Sequence, residues 1–408
     1  MRITFVSNYI NHHQIPFCDA MVRETDGGFS FVQTSPMEEE RIQMGWESEG
    51  VPGYCLRYYE EAERCQQLID ESDVVLFGGC EEESYIAKRL EQGKPVIRIS
   101  ERLYREGQWK AVSPRGLRRK YLDHTRYRKA PVYLLCAGAY VPSDFHIVRS
   151  YPGKMFCWGY FPETRHYNPD ELMESKRAKA VPTILWVARL IELKHPELAI
   201  ETAEYLKNKG ISFRLQIAGG GAMEENLRAL IEQKGLREQV ELLGFQSPAR
   251  VRALMEQADL LLFTSDRREG WGAVVNEAMN SGCPVIADHM IGSVPYLIRH
   301  GENGYVYPTG HREELFAFAE KLITDSALRE KMGREAYATI TQVWNAENAA
   351  HHLMQLICER VLGEGQFGET RSEEVQPDGK QSGEPHLYPC APAPLLREFG
   401  AYRKLTKR

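Results

Sequence analysis

The sequence predicts an α/β protein of two domains, each built on a parallel β-sheet. Three observations carry this. Short apolar runs bounded by polar or glycine-rich turns alternate with stretches of helical spacing in both halves of the chain. The length, 408 residues, exceeds what one hydrophobic core ordinarily serves. A polar stretch at 161–180 separates the two sets of alternating elements and reads as an interdomain linker.

Composition removes several function classes. Hydrophobic content of 43% and charged content of 26% are globular averages, which excludes a disordered or membrane-embedded chain as a whole. A net charge of −6 argues against a dedicated nucleic-acid binder. No apolar stretch is long enough for a membrane span, and Met1 to Ser7 lacks a signal peptide's apolar region. The nine cysteines are scattered, without a CxxC pair. That predicts reduced thiols in a cytoplasm rather than a disulfide framework or a metal site.

The first domain is expected over 1–160. Ile3–Ser7 is an apolar run at the very start, and ligands of Rossmann-like domains sit at the carboxyl end of such a strand. The chain continues there as Asn8-Tyr-Ile-Asn-His12-His13-Gln14 rather than as a glycine-rich turn. Two readings of His12 and His13 stand: they position an acceptor or move a proton near neutral pH, or they cap the next helix or sit in solvent. Val74–Phe77 followed by Gly78-Gly79 is a second strand and turn. Tyr85 to Gln92 reads as a helix stopped at Gly93, and Pro95–Ile99 as a strand closing on Ser100-Glu101-Arg102. From Arg98 to Lys129 eleven Lys or Arg face three acids, with Tyr104, Trp109, Tyr121 and Tyr127 interleaved. Such a stretch is either a solvated helix face or a contact for an anionic membrane surface or a phosphate-rich acceptor. Pro131–Cys136 and Lys154–Trp158 supply two more strands.

The second domain is expected over 181–344. Thr183 opens a strand that leads to Arg189, a polar turn, Lys194, and Pro196 at a helix start. Two cations near a helix N-terminus suit a diphosphate. Phe213–Ala218 runs into Gly219-Gly220-Gly221, and Val240–Phe245 is the next strand. Leu260–Phe263 ends in Thr264-Ser265-Asp266 and is followed by Glu269-Gly270-Trp271-Gly272-Ala273. Gly270 and Gly272 are expected to let the backbone turn and approach a ligand. Val274 to Ser281 is helical in spacing with Gly282 as its stop, and Pro284–Ala287 is a strand again. Glu269 falls in the turn and Glu277 inside the helix. They read either as solvated acids or as carboxylates that hold sugar hydroxyls from two heights. Glu313 to Thr324, Ala327 to Trp344 and Asn348 to Leu362 are expected as helices. From 363 to 408 the composition is that of a disordered tail, with a short basic amphipathic end.

The run of two Glu with seven residues between them, then Ala-Met-x-x-Gly-x-Pro-Val-Ile-Ala and Gly292-Ser-Val-Pro, resembles the core motif of the retaining, nucleotide-sugar-dependent glycosyltransferases of family 4. The resemblance is close over Thr183 to Pro308 and loose before it. It implies the GT-B fold, two Rossmann-like domains facing a cleft, with the final helix at 345–362 crossing back to the first. It also implies transfer of a sugar from a nucleoside diphosphate sugar, UDP or GDP type, to a glycan or lipid-linked acceptor, without metal or other cofactor. In its terms Arg189 and Lys194 bind the diphosphate, Glu277 the ribose and Glu269 the transferred sugar. Gly219, Gly220, Ser265, Gly270, Trp271, Gly272 and Ala273 line the donor, and Phe245 and Gln246 lie near the base. The family's usual N-domain His is absent here; Ser100 or Glu101 stands at its place, with Glu101, His12 and His13 as substitutes. Tyr296 stands where relatives often have Glu. The implied setting is cell-surface polysaccharide or glycolipid synthesis at the cytoplasmic face of the plasma membrane. The alternatives are an inactive binding or scaffold subunit and a sugar-nucleotide epimerase of the same fold.

Overall fold

The computed structural model describes residues 1–363 except 44, 46–49, 81, 109, 110 and 112. The expected tail at 363–408 lies outside the described residues apart from Gly363, as do Trp109 and Lys110 of the basic stretch. The chain divides into two units. One holds Met1–Glu163 and the chain from Asn345; the other holds Thr164–Trp344.

The first unit is a seven-stranded sheet of β1 (Ile3–Ser7), β2 (Phe29–Gln33), β3 (Cys55–Arg57), β4 (Val74–Gly78), β5 (Val96–Ser100), β6 (Val132–Ala137) and β7 (Met155–Trp158). Its order is β3-β2-β1-β4-β5-β6-β7 and every neighbouring pair is parallel. Central strands such as Val74-Val-Leu-Phe are buried along their length, because helices cover both faces of a parallel sheet. The helix Ile15–Glu24 carries Pro16 in its first turn and packs on the returning helix Ala346–Leu356. Beyond Leu356 that helix widens into a π-helical stretch, Ile357–Leu362, which ends at Gly363 in the left-handed conformation.

The second unit is a six-stranded parallel sheet of β8 (Thr183–Val187), β9 (Arg214–Ala218), β10 (Val240–Gly244), β11 (Leu260–Phe263), β12 (Val285–Asp288) and β13 (Gly304–Tyr307), in the order β10-β9-β8-β11-β12-β13. Its core joins Ile184, Trp186, Leu215, Ile217, Leu260 and Ile286, all almost fully buried.

The two sheets match the predicted α/β class. The expected linker at 161–180 differs from its reading. It contains a helix, Pro169–Arg177, with Asn168 accepting from the Asp170 amide at 3.0 Å as its cap. Leu172 and Met173 are buried, and Lys176 donates to the Met255 carbonyl at 3.1 Å. Burial lowers the Lys176 ammonium to about 8. The polar composition of this stretch reflects one exposed face of a docked helix. The expected helix from Ala327 to Trp344 is likewise α-helical over Ser326–Ala338 and then π-helical over Thr339–Val343.

Candidate donor site and N-terminal constellation

In each sheet the strand order reverses at one place, between β1 and β4 and between β8 and β11. Loops leaving the carboxyl ends of strands diverge there, which opens room for a ligand.

In the second unit the β8 loop brings Arg189 and Lys194, and the β11 loop brings Glu269. The two loops are stitched together. The Trp186 indole donates to Thr264 Oγ1 at 2.8 Å, and Thr264 Oγ1 donates to the Lys194 carbonyl at 2.7 Å. The Asp266 amide donates to the Leu193 carbonyl at 2.9 Å. Held this way, Lys194 Nζ pairs with Glu269 Oε2, with both side chains mostly buried. The same ammonium lies 5.7 Å from the Phe263 ring centroid. Arg189 is exposed and makes no ion pair with any described residue.

His195 follows Lys194 in a left-handed conformation, φ +47°, which turns the chain into the helix Pro196–Asn208. Its imidazole meets Glu197 Oε1 at 2.8 Å and Asp266 Oδ2 at 3.3 Å. The hydrogen bond with Asp266, then that with Glu197, raises the imidazole to about 9, so it is a cation at neutral pH. Burial alone would raise the Asp266 carboxyl, but the bonds from His195 and Arg268 outweigh it and hold it well below the usual carboxylate range. Sequence reading missed His195, Thr264, Asp266 and Arg268. The cue was present in the segment Lys194-His-Pro196, where a residue that tolerates a positive φ precedes the helix-starting proline.

The glycines divide. Gly219 has φ +150°, and a Cβ there would lie 1.8 Å from the Ala188 carbonyl oxygen, so the β9 and β8 loops approach to a distance only glycine permits. A Cβ on Gly220 would meet nothing within 4 Å. After β11 it is Gly272, φ +84°, that makes the turn. Gly270 is buried and is not among the positive-φ glycines.

Other expected residues fall into place differently. Trp271 is 1% exposed and its indole donates to Asn276 Oδ1 at 2.8 Å. Its ring stacks on Trp344 with centroids 5.3 Å apart, and Trp344 stacks on Tyr296 at 5.8 Å. Trp271 and Tyr296 therefore form part of an aromatic wall, and the Tyr at 296 has a packing reason. Ala273 and Glu277 are half-buried. Glu277 lies in the first turn of the helix Val274–Asn280, whose backbone is pinned where Arg252 donates to the Glu277 carbonyl at 3.0 Å. Ser265 is buried with no hydrogen-bond partner for its hydroxyl among the described residues, and Ser293 is the same. The Ser293 amide donates to the Trp271 carbonyl at 3.3 Å. Phe245 is 55% exposed and so does not pack into the core, while Gln246 donates to the Leu243 carbonyl at 2.7 Å.

In the first unit, Asn8 to Gln14 occupy the carboxyl end of β1. The Asn8 carbonyl accepts from Thr34 and Ser35, which ties this loop to the end of β2. His12 and His13 are half-buried, with ring centroids 4.0 Å apart. Burial lowers the His13 imidazole to about 4, so it is neutral at pH 7. The helix N-cap is Gln14 and no side chain caps it, which removes the capping reading of the histidines. Glu101 is engaged by Arg105 and by the Tyr160 hydroxyl, and Ser100 Oγ donates to the Glu101 carbonyl at 2.8 Å.

The basic stretch is smaller at the surface than in the sequence. Arg98 is buried on Glu83, and Arg102 is buried 3.5 Å from Asp144. No helix among the described residues is long and apolar enough to cross a membrane.

Residues 169–339 match the family described as glycosyl transferases group 1. A putative colanic acid biosynthesis glycosyltransferase of Salmonella typhimurium is 33% identical over 190 residues, 45% of this chain and 47% of the relative. An alpha-D-kanosaminyltransferase of Streptomyces kanamyceticus is 33% identical over 166 residues, 41% and 42% of the two chains. An amylovoran biosynthesis glycosyltransferase of Erwinia amylovora is 31% identical over 179 residues, 43% and 44% of the two. The chain thus spans under half the length of these relatives. Among solved structures, TarM of S. aureus superposes with a TM-score of 0.63 at 12% identity, covering 87% of this chain and 99% of that one. HepE of Anabaena, in complex with UDP and glucose, gives 0.61 at 14% identity, covering 88% and 100%. These likenesses identify the GT-B fold.

Proposed function

We propose that this chain, whose residues 169–339 form a group 1 glycosyl transferase domain, moves a sugar from a nucleoside diphosphate sugar to an acceptor hydroxyl with retention at the anomeric carbon. The acceptor belongs to a cell-surface polysaccharide or glycolipid. The observation that carries the reading is the Lys194–Glu269 pair at the strand-order reversal of the second unit, with the exposed cation of Arg189 on the same β8 loop.

In this reading the bond from the anomeric carbon to the β-phosphate oxygen breaks, and its electron pair leaves on the diphosphate. The acceptor oxygen forms the new bond and gives its proton to the released phosphate. The Lys194 ammonium has three donors, so it keeps Glu269 and still reaches a phosphate oxygen. The Arg189 guanidinium offers a bidentate fork. The two cations offset the charge that develops on the leaving group, which is the work a metal would otherwise do. Glu269 presents its second oxygen to a hydroxyl of the transferred sugar, and Glu277 takes the ribose hydroxyls. The exposed Phe245 ring stacks on the base, and the buried Ser265 hydroxyl is left to donate to the donor. His12 and His13 serve the acceptor hydroxyl. One similar protein is named for colanic acid biosynthesis and another for amylovoran biosynthesis, and a structural neighbour holds UDP and glucose, which supports both ends of this assignment.

The test is a metal-free thermal-shift screen of UDP, GDP, ADP and their common sugars, then product analysis with the donor that binds. A ligand at a hundred times its dissociation constant stabilises the fold by about 2.7 kcal/mol. A shift with one nucleotide and transfer to an oligosaccharide acceptor supports the reading. A nucleotide that binds and is never turned over with any acceptor sinks the transferase and leaves a binding subunit.

A further inference from the structure

The helix Pro114–Asp123 has no buried residue, and its large apolar side chains lie on the exposed surface among arginines. Its half-buried positions are Gly116, Lys120 and Asp123, which fall on one side at roughly 100° per residue. The rest of the circumference carries Leu117, Tyr121 and Leu122, exposed by 42%, 56% and 40%, interleaved with the exposed Arg115, Arg118 and Arg119. This is the reverse of a helix that docks on its own core. Lys120 is turned inward, and burial lowers its ammonium below the usual range. The helix is firmly set. Ser113 caps it by accepting from the Gly116 amide at 3.4 Å, and at its far end His124 Nδ1 meets the Tyr151 hydroxyl at 2.7 Å. The cations continue past it in the exposed Arg126, Arg128 and Lys129. From 114 to 129 seven Lys or Arg stand against the single acid Asp123, in a chain of net charge −6.

We propose that the outer face of Pro114–Asp123, with Arg126, Arg128 and Lys129 beside it, docks on an anionic phospholipid surface. Leucine and tyrosine side chains gain by entering the headgroup boundary, while arginines on the same face meet lipid phosphates. A hydrated polyanion such as a nucleic acid satisfies the arginines and leaves Leu117 and Leu122 in water. A second copy of this chain across a two-fold axis sets cation against cation. A lipid surface is the one partner that uses both halves of the pattern.

The experiment is flotation of the full chain with vesicles of phosphatidylglycerol and phosphatidylcholine, and with phosphatidylcholine alone. It needs no turnover, so it fails or succeeds independently of the transferase reading. The chain floats with the anionic vesicles, stays behind with the neutral ones, and is released by raised salt. Two exposed triple variants, Leu117→Ser/Tyr121→Ser/Leu122→Ser and Arg115→Ser/Arg118→Ser/Arg119→Ser, each weaken binding by roughly tenfold or more with unchanged melting temperature. Absence of flotation, or flotation that either triple variant leaves intact, overturns the proposal. So does equal competition by duplex DNA, which makes the face a general polyanion site.

Discussion

The two sheets share one plan and differ at their strand ends. Both are wholly parallel, both reverse strand order once, and both place a loop rich in polar groups at that reversal. In the second unit the loops come within a glycine's reach of each other at Gly219 and present the Lys194–Glu269 pair and the exposed cation of Arg189. In the first unit the corresponding loop carries Asn8, His12, His13 and Gln14, and its His13 is neutral. A buried parallel core is generic, since any run of Val, Ile, Leu and Phe serves it. The chemistry is confined to the turns. Fixed charge and close backbone suit an anion common to many donors; neutral hydrogen-bonding groups suit hydroxyls that vary with the acceptor.

The largest effect should separate the units by what they bind. In the proposed reaction Lys194→Ala removes a cation from the leaving group and should lower kcat/KM by roughly 100- to 1,000-fold, the size seen when one preorganised donor is lost. It should also weaken the nucleotide-induced thermal shift. His13→Ala should leave that shift intact and raise the acceptor KM. Steady-state kinetics with each substrate varied, beside the thermal shift, reads both. If His13→Ala abolishes the nucleotide shift and Lys194→Ala does not, the division of labour is inverted.

A smaller effect tests the backbone half of the comparison. Gly219→Ala drives a Cβ into the Ala188 carbonyl at 1.8 Å, in a region of φ that L-residues avoid. Gly79 follows β4 at φ +76°, and a Cβ there meets the Ser7 hydroxyl at 2.7 Å, the end of a short side chain that can rotate. Gly219→Ala should cost about 3 kcal/mol or more and Gly79→Ala about 1 kcal/mol. Urea unfolding of both variants decides this; equal costs would mean that the two turns are equally tolerant.

The legibility of each unit has the same physical root. In the second unit strand, turn and helix lie in an unbroken order, so Thr183, Leu260 and the helix after Gly272 stood out. Among the strands of the second unit only β13 went unread, whereas in the first unit β2 and β3 were not recognised. Phe29-Ser-Phe-Val-Gln has only three apolar residues, and Cys55–Arg57 is three residues long, an edge strand with only its middle residue buried. The inward-facing Arg98 and Arg102 read as surface charge because composition cannot see Glu83 and Asp144 beside them. At the candidate donor site the pairing of Lys194 with Glu269 joins residues 75 apart in sequence. Spacing named both and could not bring them together. His195, Asp266 and Arg268 went unnoticed because their role is to hold other groups, and a holding role leaves no motif.

Titration of the two histidine positions supplies the finest test, since their signs are opposite. His195 is raised from 6.5 to about 9 by Asp266 and Glu197. Between those values the folded chain binds more protons than the unfolded one, so stability falls as pH rises. The contribution is complete below about 6.5 and is lost through about 9. His13 is lowered from 6.5 to about 4 by burial. There the unfolded chain binds the extra proton, so stability falls as pH drops from 6.5 towards 4. Melting curves of His195→Gln and His13→Gln against the parent chain at about pH 5, 7 and 9.5 separate the two. The deficit of His195→Gln should be largest at the two lower values and nearly close at the highest. His13→Gln should gain on the parent only at the lowest. Because His195 and Asp266 set the loop that carries Lys194, the nucleotide-induced shift should weaken along with the His195 contribution. A shift that stays constant to about pH 9.5 would uncouple that loop from the donor site and leave His195 a local clasp.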